Sequence, residues 1–300
     1  MGPARSYRYL VVDVFTEVQF RGNPLAVFPE AKDLSSDEMQ ALARELNLSE
    51  SSFVFAPRDA RSAARVRIFT PWKELDFAGH PTIGTAFALV TLGRIPPADT
   101  AFVLEENIGP VPIRLERRAG PFLAWLSTPP ITLGAIVDRA RSAAALGLET
   151  AALLGEYPVQ LAGAGNPFLY VPLRDAAAVD RAALDARALA GLVPANALNG
   201  VFLFAPAPNG VYARMFAPMS GITEDPATGS ATGPLGAYLV EHGLIERRDG
   251  LSFVNEQGTA MGRQSFIHAK LRVREGNLET VEVGGSAVTV MEGNVTLTAS

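Results

Sequence analysis

The chain contains no cysteine. That absence excludes a disulfide framework, thiolate zinc sites, iron–sulfur ligation and a cysteine nucleophile. Lysine is scarce: Lys32, Lys73 and Lys270 stand alone, and arginine carries the rest of the basic charge. With a net charge of −5 and a pI near 5.4, no basic face for nucleic acid is expected. No apolar run reaches the length of about 18 residues that a spanning helix needs. The stretch Ser6-Tyr7-Arg8-Tyr9 and its neighbours lack the apolar core of a signal peptide, so a cytoplasmic protein without a membrane partner is expected. The three histidines, His80, His242 and His268, are scattered and none is paired at ligand spacing, so no metal is expected.

What is present is core material. At 300 residues, with 48% apolar and 19% charged, the chain has enough for two globular domains and too little charge for disorder. Short matches recur in the same order at a nearly constant offset of about half the chain. Gly22-Asn23-Pro24 returns as Gly165-Asn166-Pro167, and Phe53-Val54-Phe55-Ala56-Pro57 as Phe202-Leu203-Phe204-Ala205-Pro206. Arg67-Ile68-Phe69-Thr70-Pro71 returns as Arg214-Met215-Phe216-Ala217-Pro218, and Leu89 to Gly93 as Leu239 to Gly243. A single repeat of that length means two similar domains, not a solenoid. The first half is expected over 1–128 and the second over 129–300. An alanine-rich linker with a helix is expected over about 128–156, and residues near the C-terminus are free to pack back on the first half.

Each half reads as strands around two kinds of helix. Ser35 and Glu38 form a capping box ahead of the stripe Met39, Leu42, Ala43, Leu46, which predicts an amphipathic helix ending at Asn47. From Thr82 to Leu92, and again from about Ser230 to His242, nearly every residue is apolar or small. A helix that is apolar on every side is buried on every side. The expected class is therefore α+β: two pseudo-symmetric domains, each a curled β-sheet or barrel wrapped around a central apolar helix.

Both buried helices begin in small-residue loops, Gly79-His80-Pro81-Thr82 and Asp225-Pro226-Ala227-Thr228-Gly229-Ser230. Unpaired N–H groups at such ends attract carboxylates and oxyanions. Well-capped helix starts would look the same, so pattern alone leaves both readings open. Gly79 to Thr85 lacks the lysine of a nucleotide phosphate loop, and Ser230 lacks the glycine that a nucleophile elbow places two residues earlier. That leaves acid–base groups. Glu50 lies between the amphipathic helix and a strand, and its counterpart in the repeat is Asn199. The symmetry is broken at a titratable residue, as one site serving two similar halves would require. Asp225 before Pro226 also reads as a helix N-cap, and His80 also reads as a satisfied buried imidazole.

At these residues the chain resembles the phenazine-biosynthesis PhzF-like family. The markers are Asp13-Val14-Phe15-Thr16 with Gly22-Asn23-Pro24, Leu48-Ser49-Glu50-Ser51, Gly79 to Ala86, Glu224 to Ala231, and Gln257-Gly258 with Met261-Gly262-Arg263. Gln264 stands where the family's Gly-Arg turn continues with proline. The resemblance implies the diaminopimelate-epimerase-like fold, a homodimer, and an isomerase without cofactor acting on a small-molecule carboxylate. It implies Glu50, His80 and Asp225 as catalytic residues and Gly79, Thr82, Gly229 and Ser230 as substrate contacts. On this reading Glu50, its pKa raised by burial, removes a proton from carbon and returns it to another carbon. Diaminopimelate epimerase uses one cysteine on each domain, and a chain without cysteine cannot racemise that way. The alternatives are a non-catalytic small-molecule-binding or scaffold protein on the same fold, and a serine hydrolase built on Ser230.

Overall fold

The computed structural model describes residues 4–96, 98–193, 198–218 and 221–298. The chain divides into two compact units, Met1–Leu126 with Gly284–Ser300, and Ser127–Val283. No helix among the described residues is long and apolar enough to cross a membrane.

In the first unit, β1 (Arg5–Val14) pairs antiparallel with β2 (Asn23–Phe28) on one side and with the strand Ala287–Leu297 on the other. Helix α1 (Ser36–Leu46) then leads to β3 (Glu50–Phe55), which pairs parallel to β2 with Leu25 opposite Glu50. β4 (Ala64–Phe69) and β5 (Glu74–Leu75) follow as antiparallel neighbours. Helix α2 (Gly79–Thr91) comes next. β6 (Ala101–Glu106) lies parallel to β4, and the meander β6, β7 (Gly109–Glu116), β8 (Leu123–Ser127) completes the series.

Helix α1 forms where the capping box predicts. Ser35 accepts from the Glu38 N–H, the Glu38 carboxylate accepts from the Ser35 N–H, and Asn47 closes the helix in the left-handed region at φ 50°. Ser35→Ala removes that cap, and urea unfolding is expected to register a loss of about 1 kcal/mol. Helix α2 is the all-apolar one, with Gly79 to Ala86 buried throughout, and it packs on β1, β2 and β3. It starts three residues earlier than the apolar run predicts. Pro81 is compatible with that start because a first-turn N–H has no intrahelical acceptor to lose. At Gly84 a Cβ would come within 2.7 Å of side-chain carbons of Leu25 and Val14, so only glycine lets the helix sit this close to β1 and β2.

In the second unit β9 (Thr132–Val137) is followed by α3 (Arg139–Ala145). The stretch read from sequence as a linker with a helix thus also holds a strand, and that strand pairs with β10 (Val159–Gly163). Its Thr-Leu-Gly-Ala-Ile-Val run keeps enough β-branched character to pair despite the surrounding alanines. β10 pairs antiparallel with β11 (Pro167–Pro172). The short helices α4 (Ala176–Arg181) and α5 (Ala186–Ala190) precede β12 (Gly200–Ala207), which lies parallel to β11. β13 (Gly210–Ala217) and β14 (Ile222–Asp225) are antiparallel neighbours, and helix α6 (Gly229–Glu241) follows. β15 (Ser252–Gln257) lies parallel to β13 and antiparallel to β16 (Ser265–Arg274), and β17 (Asn277–Gly285) follows; β18 (Ala287–Leu297) is the strand of the first unit that pairs with β1. The pairing order from β11 to β15 is the same as that from β2 to β6. Around α6 a core of Phe168, Tyr170, Phe202, Phe204, Leu235 and Tyr238 is fully enclosed.

Candidate active site

Three backbone facts bring candidate side chains of the first unit together. The parallel pairing of β2 and β3 sets Glu50 at the head of β3 beside Leu25. Asn23 opens β2 and is wholly buried. His80 is the second residue of α2, and that helix packs on both strands. The three side chains therefore meet. His80 Nε2 lies 3.3 Å from Glu50 Oε2, out of line for a hydrogen bond, while Nδ1 is 3.5 Å from the Asn23 amide nitrogen. An amide nitrogen can only donate, so the contact with Asn23 suits the tautomer in which Nδ1 is bare and Nε2 carries the hydrogen. Burial pushes the His80 pKa down to about 3. The imidazole is thus neutral across the ordinary range, and its contact with Glu50 is that of an imidazole with a carboxyl, not an ion pair.

The N-terminus of α2 carries no side-chain cap. Its N-cap, Ala78, brings no side-chain oxygen, and the first-turn N–H groups of Gly79 and His80 have no intrahelical acceptor. The Thr82 hydroxyl lies 2.7 Å from the Ala78 carbonyl oxygen and 2.6 Å from Glu106 Oε1, and the residue is fully buried.

In the second unit Asp225 ends β14 and is buried. It is not the helix N-cap that the Asp-Pro step predicts: α6 starts at Gly229 with Thr228 as N-cap. Asp225 Oδ2 instead accepts the Thr228 hydroxyl at 2.5 Å. Gln257 ties the same turn together. It donates to the Asp225 carbonyl at 2.7 Å and accepts from the Thr228 N–H at 3.2 Å. Gly258 follows at φ 77°, where a Cβ would stand 2.5 Å from the Arg263 carbonyl and 2.6 Å from that of Pro226. Only glycine permits that approach. Gly229 is buried at the head of α6 and Ser230 is partly exposed. Among the described residues, no group of three or more His, Asp or Glu side chains is placed to hold a metal ion.

Residues 12–293 match the family described as phenazine biosynthesis-like protein. The chain belongs to that family. It is 39% identical, over 97% of its length and all of the relative's, to the trans-2,3-dihydro-3-hydroxyanthranilate isomerase of Pseudomonas aeruginosa. Among solved structures, a predicted epimerase from the same organism superposes with a TM-score of 0.80 at 33% identity, over 98% of this chain and all of that one. A phenazine biosynthesis protein of Bacillus anthracis shares the fold with a TM-score of 0.89 at 24% identity, over 97% and 99% of the two chains. This member of the phenazine biosynthesis-like family is accordingly an isomerase with that family's mixed α/β fold.

Sequence reasoning passed over two residues near the family's Gly79-His80-Pro81 motif. Asn23 was visible as part of a repeat marker and of a family marker, without a role of its own. Glu106 carried a signal that was there to use, since Phe102, Leu104 and Glu106 alternate along one strand and put the acid on the apolar side.

Proposed function

We propose that this isomerase shifts a double bond in a small carboxylic acid by moving one proton between two carbons, without a cofactor, and that Glu50 carries the proton. The observation behind this reading is the largely buried Glu50 carboxyl beside a neutral His80 at the uncapped N-terminus of α2. The Glu50 carboxylate takes a proton from carbon, and the C–H electron pair enters the neighbouring unsaturated system. The double bond moves, and the Glu50 acid returns the same proton to the carbon at the far end. The formula is unchanged and no oxidant is required. First-turn N–H groups at Gly79 and His80 would offset the enolate-like charge, a term that is large in such reactions. His80, fixed by Asn23, orients the Glu50 carboxyl and the substrate. Asp225, Gly229 and Ser230 are read as substrate contacts on the match of their motif. The recurring pairing order supports an internal repeat. A homodimer in the cytoplasm completes the reading and rests on the family resemblance.

The first substrate to try is the acid named for the Pseudomonas relatives, trans-2,3-dihydro-3-hydroxyanthranilate. Incubated with the protein in D₂O, it should be consumed, and the product should carry deuterium at the newly protonated carbon to the extent that the Glu50 proton exchanges with solvent. In H₂O, a substrate deuterated at the carbon that loses its proton should react more slowly. No consumption of this acid removes it as the substrate, and consumption without any isotope effect or exchange removes the proton shift.

A further inference from the structure

Glu106 is the last residue of β6, next to the turn Asn107-Ile108, and only 7% of its surface is exposed. Its Oε1 is 2.6 Å from the Thr82 hydroxyl, which also lies 2.7 Å from the Ala78 carbonyl oxygen. A hydroxyl has one hydrogen, and a carbonyl oxygen has none to give. If both short contacts are hydrogen bonds, Thr82 donates to Ala78 and the second hydrogen belongs to Glu106. Its other oxygen, Oε2, is buried and has no hydrogen-bond partner. A carboxylate there would leave a charged oxygen dry, whereas a neutral acid leaves only a carbonyl-like one.

We propose that Glu106 is a positioning residue for the isomerase: as the neutral acid it donates to Thr82, Thr82 donates to Ala78, and this chain of hydrogen bonds holds the first turn of α2 so that His80 stays against Glu50.

This rests on the reading of Glu50 and His80 given above. The chain spans the turn that carries His80, from Ala78 at the N-cap to Thr82 four residues on. Burial supports the neutral form, raising the Glu106 pKa to about 8. The charged or titratable groups on the surrounding elements are Arg65 and Arg67 of β4, Arg114 and Glu116 of β7, His80 of α2, and Glu105 beside it. Arg67 is paired with Glu74, Arg114 lies by Glu116, and Glu105 accepts from the Arg58 and Asp59 N–H groups. None of the six hydrogen-bonds the Glu106 carboxyl. The sign follows. The acid is intact below pH 8 and ionises above it, when Thr82 must turn its one hydrogen to the carboxylate and release Ala78. Positioning is therefore full at neutral pH and lost on the alkaline side.

The test compares wild type with Glu106→Gln, whose amide N–H donates like the acid but does not ionise, and with Glu106→Ala, which donates nothing. Two readouts are taken from pH 6 to about 10: kcat/KM for trans-2,3-dihydro-3-hydroxyanthranilate, and the ring ¹⁵N resonances of His80 without substrate. Wild type should lose kcat/KM with a midpoint near pH 8, and the His80 signals should move over the same interval. In Glu106→Gln both transitions should vanish, with most of the neutral-pH rate retained. Glu106→Ala should lose roughly 10- to 100-fold at pH 7 from misplacement alone. Overturning results are His80 signals in wild type that do not move near pH 8, an alkaline limb that persists in Glu106→Gln, or a Gln variant as slow as the Ala variant. If the His80 signals behave as stated but this acid is not turned over, the coupling of Glu106 to His80 stands and the substrate reading has failed.

Discussion

Glu50→Gln is expected to fold as wild type does and to turn over substrate roughly 10²–10⁴-fold more slowly, the usual contribution of a positioned general base. The amide matches the carboxyl in shape, and the position heads β3, where the backbone pairing with Leu25 does not depend on the side chain. The loss should fall on kcat and kcat/KM alike, because the proton transfer exists only on the way to the transition state. Solvent deuterium should no longer enter the product. Glu50→Asp withdraws the carboxyl by one methylene and should recover part of the rate, since the proton carrier is present but displaced. His80 does not take over: its imidazole is neutral to about pH 3 and so is a poor base at neutral pH. A Gln variant that exchanges deuterium within a few-fold of wild type would exclude Glu50 as the base.

The second large effect is on stability. Tyr238 lies inside α6 with no exposed surface, stacked 6.1 Å from the Tyr170 ring, edge-on to Phe204 at 5.5 Å and close to His242 at 4.4 Å. Its hydroxyl donates to the Pro158 carbonyl at 2.6 Å. Tyr238→Ala should cost about 3–5 kcal/mol, through lost transfer energy and the cavity left among rings that cannot all collapse inward. Tyr238→Phe keeps the rings packed and loses only the hydrogen bond, for about 1 kcal/mol. Urea titration resolves the two, with midpoints falling in that order and slopes unchanged. If the Ala variant lost no more than the Phe variant, the ring would not be part of a close-packed core.

How much of this was legible beforehand depended on how local the cause was. The Ser35–Glu38 box and the Asn47 stop are decided within a dozen residues, and α1 lies where they place it. The burial of α2 follows from its apolar run, but its start does not. Gly79, His80 and Pro81 look like loop, and only packing on β1 and β2 draws them into the first turn. β9 was obscured by its alanine-rich neighbourhood, because its pairing partner, β10, lies more than twenty residues further on. At the site, Glu50 and His80 could each be named from sequence, but their 3.3 Å approach depends on a parallel strand pair and a packed helix that no local pattern encodes. Thr82 stood out by its place in a conspicuous motif, but the contact of its hydroxyl with Glu106, 24 residues further on in another element, is not visible in that motif.

The pairing of β1 with Ala287–Leu297 bears on how the protein is made. Synthesis runs from the N-terminus, so β1 leaves the ribosome early and its neighbour late, after all of the second unit. Until then one edge of β1 is an unpaired row of N–H and C=O groups, the kind of edge that recruits other strands. The second unit, continuous in sequence from Ser127 to Val283, has no such wait. The unit begun first is the one finished last, and in the interval it is the segment most exposed to misassembly.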